Sequence, residues 1–290
     1  VDLKKRITEK GLLMGFQFLS VGEIWERYLD TIQKDPNIKK STVVTYQTAS
    51  KRFHGYFGPE IEPDDIELSD GSNWRDWLEE EFNLSEASAA STIVRTRTVF
   101  SWAQKNGYCQ TNIFLEVHKG STENKQNEFY VPMEWFEKVM AICPDQEWRV
   151  YLALMRIGGV RMGEAHALTW ENVLWNENQV RIISPKTERF QGHDERVIPL
   201  FPRLRSELQK LYDGTKTGPV LTTILKDRTQ RAVDGQLSTL IRHAGLEVWP
   251  RLNHNLRGSR SNEIFSAFPD HVAEYWMGHS QKVAKKHYLH

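Results

Sequence analysis

Ten consecutive residues, Lys119 to Glu128 (Lys-Gly-Ser-Thr-Glu-Asn-Lys-Gln-Asn-Glu), carry no apolar side chain. A segment with no hydrophobic period cannot cross a packed core, so it reads as an interdomain linker at 119–128. The 290-residue chain leaves enough on either side for two cores. The expected division is a tail or linker at 1–17, a first domain at 18–118 and a second at 129–290. The tail opens with Lys4-Lys5-Arg6 and is broken by Gly11 and Gly15.

The first domain reads as four helices. Ser20 with Glu23 three residues on makes a capping box ahead of Val21, Ile24, Trp25, Tyr28, Leu29 and Ile32. A second helix is expected from a Ser41 cap to Tyr56, ended by Gly58-Pro59, with Tyr46, Ala49, Phe53 and Phe57 on one face. A third, shorter helix holds Trp74, Trp77 and Leu78. A fourth spans Ser85 to Lys105 with Ile93, Thr96, Val99, Phe100 and Ala103 inward, and stops at Asn106-Gly107. Short connections between them predict a small bundle.

The second domain mixes periods. Helices are expected at Met133–Ile142 and Trp148–Ile157. Short β-type runs follow at Val173–Trp175, Val180–Ser184 and Arg196–Leu200, then helices again from Leu204. The fold class is therefore mainly α, with one small antiparallel sheet in the second domain.

Composition removes several functions. No apolar run approaches the ~18 residues of a membrane-spanning helix. Cys109 and Cys143 stand alone, without a secretory leader, so a reducing cytoplasm is expected rather than a disulfide framework. Gly158-Gly159 lacks the Lys-Ser/Thr ending of a phosphate-binding loop. The 38 basic residues balance 38 acidic ones, which argues against an indiscriminate basic coat. Acids crowd Glu60 to Glu81, so cations are left in excess elsewhere and a local DNA-binding face remains open.

Individually the polar residues of the second domain are unremarkable. Arg161 sits at a helix break, Lys186 at a strand end, His254 and Arg257 one helical turn apart, His279 beside Gly278, and Tyr288 near the chain end. Each has a structural explanation. Together, the run Gly159-Val160-Arg161-Met162-Gly163-Glu164-Ala165-His166-Ala167-Leu168-Thr169-Trp170, the hairpin with Lys186, His254-Asn255-Leu256-Arg257, Gly278-His279-Ser280 and Tyr288, nine residues after His279, resemble the tyrosine recombinase (phage integrase) family.

That resemblance implies a helical core-binding domain followed by a catalytic domain, and site-specific DNA recombination through a 3′-phosphotyrosyl intermediate. Arg161 and Arg257 would grip the scissile phosphate, with His254 and His279 adding hydrogen bonds. Tyr288 would be the nucleophile and Lys186 the acid that protonates the leaving 5′ oxygen. Lys51, Arg52, Arg95 and Arg97, on the second and fourth helices, are the expected DNA-facing cations. No metal or cofactor is implied, and His166, His193, His243, His271 and His290 form no ligand-spaced set. The implied partners are double-stranded attachment-site DNA, a homotetramer on that DNA and accessory bending or directionality factors. The implied location is the cytoplasm, at the nucleoid. Two alternatives stand beside this reading: a type IB topoisomerase-like enzyme, and a catalytically silent DNA-binding regulator. The Val1 start suggests an upstream arm-binding domain; the end two residues after Tyr288 suggests either a protein that ends early or a removed tail, and in either case a chain that is monomeric without DNA.

Overall fold

The computed structural model describes residues 19–121, 127–184, 195–214, 216–224 and 229–281. They fall into two compact units, divided between Asn124 and Lys125.

In the first unit, α1 (Val21–Lys34) begins where Ser20 and Glu23 exchange the two expected capping hydrogen bonds, and buries Val21, Ile24, Trp25, Tyr28 and Ile32. Helix α2 (Lys40–Phe57) starts earlier than expected: Lys39 is its cap, without a side-chain bond, and Ser41 lies inside the helix. The third helix is longer than its sequence suggests, α3 running Leu68–Glu81. Ser69-Asp70-Gly71-Ser72-Asn73 has turn-like composition, but Gly71 serves packing. A Cβ there would lie 2.6 Å from Val117 Cγ2, so only glycine lets the helix approach that loop. Helix α4 (Glu86–Lys105) buries all five expected residues and ends at Asn106-Gly107. Phe53 occupies the centre of the bundle, its ring 5.3–5.8 Å from those of Trp25, Trp74, Phe100 and Phe114. Offset and edge-on aromatic contacts of this kind add to the burial of their large apolar area.

The second unit is built on α6 (Gln146–Arg156), which follows α5 (Met133–Ala141) and buries residues on every side. Asp145 caps α6 by accepting from the Trp148 N–H at 2.8 Å. A short helix, α7 (Met162–Ala167), leads to a three-stranded antiparallel sheet in the order β1 (Val173–Leu174), β2 (Gln179–Ile183), β3 (Glu195–Pro199). Register pairs Val180 with Ile198 and Ile182 with Arg196. Alternation therefore turns Val180, Ile182, Ile198 and also Arg196 to the buried face. Helices α8 (Pro202–Leu211), α9 (Gln230–His243), α10 (Leu252–Ala267) and α11 (Asp270–Met277) complete the unit. The buried Glu147 carboxylate secures the loop before α9, accepting from the N–H groups of Thr222, Thr223 and Ile224 and from both threonine hydroxyls. Among the described residues no helix is long and apolar enough to cross a membrane.

Candidate active site

The turn between α6 and α7 holds Gly159 at φ +63°, where a side chain would be strained and a Cβ would lie 2.9 Å from Met277 Cε. This close approach brings the start of α7 against the end of α11. Arg257, one turn into α10 and 3% exposed, ties both down by donating to the carbonyls of Gly159 and Met277. Arg161, the residue before α7, donates to the Gly278 carbonyl at 3.0 Å, one residue further along.

Between these arginines lies Glu164, 3% exposed. Its carboxylate accepts from the Arg161 backbone N–H at 2.8 Å and from Arg161 Nη1 at 2.7 Å. From below it accepts Arg196 Nη1 and Nη2 at 2.9 and 2.7 Å and the Ser184 hydroxyl at 2.8 Å. Arg257 Nη1 is 3.9 Å away. Burial alone would raise the carboxyl pKa. The hydrogen bonds and charge of Arg196, with the charges of Arg161 and Arg257, outweigh it and hold Glu164 far below the usual carboxylate range. Three guanidinium groups facing one carboxylate leave the cluster with a surplus of positive charge, poised for an anion.

His279 follows Gly278, stacked on Phe265 with ring centroids 5.7 Å apart and its Nε2 3.4 Å from the Ser261 hydroxyl. Burial first, then the Arg257 charge with smaller contributions from Arg161 and Arg196, push its pKa down to about 3. The ring is therefore neutral at physiological pH and offers a hydrogen bond rather than a charge. His254 is half-buried on α10, three residues before Arg257 and so on the same side of the helix. The neighbouring Asn253 fixes this turn, accepting from Tyr151 Oη and donating to Asp234, each at 2.6 Å.

The structure thus draws Arg161, Arg257 and His279 into one cluster and puts His254 on the helix that carries Arg257. Lys186 and Tyr288 lie outside the described residues. Glu164 and Arg196 were not singled out in the sequence. An arginine sharing the inward face of Arg196-Val197-Ile198 with an isoleucine was the signal that could have found the second. Among the described residues no group of three or more His, Cys, Asp or Glu is placed to hold a metal.

In the first unit the four expected cations separate. Lys51 is exposed on α2. Arg52 donates to Thr92 Oγ1 at 3.0 Å and covers the Phe82 ring. Burial and the nearby Arg95 charge lower its pKa. Arg95 donates to the Ser91 carbonyl at 2.8 Å and lines a groove of about 460 Å³ between α2 and α4, together with Ser41, Thr42, Thr45, Tyr46 and Val94. Arg97 points elsewhere. Two residues along a helix is about 200°, and its guanidinium donates to the carbonyls of Phe114 and Val117 at 2.7 and 2.5 Å. It is a tie to the following loop, with its Nε and Nη2 donors committed within the protein.

The fold has known counterparts. A lambda integrase dimer bound to a COC′ core site superposes with a TM-score of 0.76 at 17% identity, covering 99% of this chain and 80% of that one. A lambda integrase tetramer bound to a Holliday junction gives 0.74 at 17%, covering 93% and 77%. The Tn1549 transposon integrase in complex with a circular intermediate DNA gives 0.74 at 16%, covering 94% and 95%. No curated protein sequence matches the chain. The phage integrase SAM-like domain profile matches residues 20–122. The phage integrase family profile matches 133–290, more than half of the chain, and so takes in all three segments of the arginine cluster and the tyrosine beyond it. The chain belongs to the phage integrase family, the tyrosine recombinases.

Proposed function

We propose that this chain is a site-specific recombinase of a mobile element, acting on double-stranded attachment-site DNA as a homotetramer through a Holliday junction, in the cytoplasm at the nucleoid. The observation that carries the reading is the convergence of Arg161 and Arg257 on a buried carboxylate with a surplus of positive charge, within whose field His279 lies. A phosphodiester repels nucleophiles, and its transition state gathers further negative charge, so preorganised cations are the main catalytic resource available to a metal-independent site. Arg161 and Arg257 take the two non-bridging oxygens, and the neutral His279 adds a hydrogen bond.

Tyr288 Oη then attacks phosphorus, forming the phosphotyrosyl bond as the P–O5′ bond breaks. The phenolic proton passes to His254 and the leaving 5′ oxygen takes a proton from Lys186. The ester preserves the phosphodiester's free energy, so the reverse attack by a 5′-hydroxyl rejoins a strand without ATP. In this reading 18–118 is the core-binding domain, 119–128 the linker and 129–290 the catalytic domain. Lys51, Arg52 and Arg95 face the duplex, and accessory bending or directionality factors complete the assembly.

The test is a nicked suicide duplex carrying the DNA that flanks the coding region. Wild-type protein is expected to leave an SDS-stable protein–DNA adduct, and Tyr288→Phe to leave none while retaining DNA affinity. An adduct formed by the phenylalanine variant would reject Tyr288 as nucleophile. Absence of any wild-type adduct would favour the silent DNA-binding alternative.

A further inference from the structure

Arg196 joins the same cluster from the sheet side. It is 4% exposed, and its donors are committed inside the protein. Nε donates to the Trp276 carbonyl at 2.7 Å, Nη1 to Glu164 at 2.9 Å and to Ser184 Oγ at 3.0 Å, and Nη2 to Glu164 at 2.7 Å. Its side chain also packs close to Gly278, where an added Cβ would sit 3.2 Å from Cδ and Nη1. At φ +61° this glycine makes the turn that delivers His279. One side chain therefore touches three segments of the site: the end of β2 through Ser184, the carboxylate that orients Arg161, and the turn before His279. Arg161, by contrast, keeps a third of its side chain exposed.

We propose that Arg196 is a positioning residue of the strand-cleavage site, holding Glu164 so that Arg161 and Arg257 are aimed at the phosphate and holding the Trp276–Gly278 turn so that His279 is presented to it. The proposal rests on the recombinase reading. Its physical basis is competition for one carboxylate. Glu164 has two oxygens, and Arg196 bonds to both. Without that fork the buried anion would satisfy itself by drawing in Arg257, now 3.9 Å away, and by holding Arg161 more tightly, withdrawing from the substrate the charge that should meet it. Misplacement of a catalytic group by about 1 Å is enough to cost on the order of 100-fold in rate.

The experiment compares Arg196→Met, Arg196→Lys and Glu164→Gln, with the Glu164→Gln/Arg196→Met double variant, on a supercoiled plasmid carrying the flanking DNA. Three quantities are read: SDS-stable adduct rate, affinity for the same DNA, and the NMR titration of the His279 imidazole without DNA. Arg196→Met is expected to slow adduct formation about 100-fold with affinity within about threefold of wild type, and Arg196→Lys to recover part of the rate. Because part of the effect runs through Glu164, removing Arg196 in the Glu164→Gln background should cost clearly less than the about 100-fold it costs in the wild-type background. The imidazole should titrate at higher pH once the Arg196 charge is gone. Adduct rates within threefold of wild type for Arg196→Met, or losses that simply multiply in the double variant, would overturn the proposal. If Arg196→Met does not fold, Arg196→Lys decides: because lysine keeps the charge but not the two-pronged bond to Glu164, a wild-type adduct rate would overturn it. If even the wild type forms no adduct, the recombinase reading fails, and an unmoved His279 titration in Arg196→Met would separately overturn the positioning role.

Discussion

The two units solve the packing problem in opposite ways. In the first, the described buried residues include no charged side chain. Its centre is Trp25, Phe53, Trp74, Phe100 and Phe114, and its buried polar residues are Ser50, Thr92, Thr96 and Asn112. The second buries Glu147, Arg156, Glu164, Arg196, Glu207 and Arg257. Aromatic burial stabilises without specifying chemistry, whereas each buried charge incurs a desolvation cost that only well-placed partners offset. The first unit thus reads as a stable platform whose surface can vary, and the second as a scaffold that gives up stability to hold a preorganised charge cluster.

The sharpest way to break this contrast is to truncate one central residue on each side. Arg257→Ala is expected to lower the adduct rate by 10²–10³-fold, or about 3–4 kcal/mol of transition-state stabilisation, while DNA affinity changes little. Trp74→Ala in α3 should do the reverse. It should cost about 3–5 kcal/mol of stability in denaturant unfolding and leave the cleavage rate of the folded fraction near wild type. A Trp74→Ala protein with normal stability, or an Arg257→Ala protein that cleaves normally, would mean that the division of labour is misassigned.

Glu147 tests whether buried charge in the second unit is also structural away from the cluster. Burial raises its pKa, but hydrogen bonds from the Thr222 and Thr223 hydroxyls and backbone outweigh that and bring it down to about 2. Its folded pKa is below its unfolded value, so its contribution is complete above about pH 4.5 and is lost as the pH falls towards 2. Glu147→Gln should therefore cost about 2 kcal/mol at pH 7, in line with lost charge-assisted hydrogen bonds, and the gap to wild type should narrow at pH 3. Urea midpoints of the two proteins at both pH values measure this. A gap independent of pH would place the loss in shape rather than charge.

How much of this was legible follows from how local each signal is. The Ser20–Glu23 capping box, the Asn106-Gly107 stop and the three β-type runs depend on neighbours in sequence, and the structure places them within a residue or two of expectation. Gly71 misled because its reason, Val117, is 46 positions away. Glu164 lay inside the motif that carries the family resemblance, yet nothing in a linear string says that a carboxylate will be shared by three arginines from separate segments. Arg196 was half legible through strand alternation. The divergence of Arg97 from Arg95 was legible, since helical geometry alone puts the two about 200° apart.

That last pair supplies the smallest and most specific test of the comparison. If the first unit works through its surface, the cations that matter there are those whose charge faces solvent. Arg95 lines the α2–α4 groove, while Arg97 has already given its donors to the Phe114 and Val117 carbonyls. A phosphate contact releases counterions on binding, so removing one should reduce the slope of log K against log salt by about 0.9 and weaken binding uniformly across sequences. Arg95→Ala is expected to do this and leave the unfolding midpoint almost unchanged. Arg97→Ala should behave oppositely. It strands two partly buried carbonyls, costing about 1–2 kcal/mol of stability, and leaves the salt slope where it was. Salt titrations of DNA affinity and urea melts on the two variants give four numbers, and a salt slope that falls for Arg97→Ala but not for Arg95→Ala would move the duplex to the other side of α4.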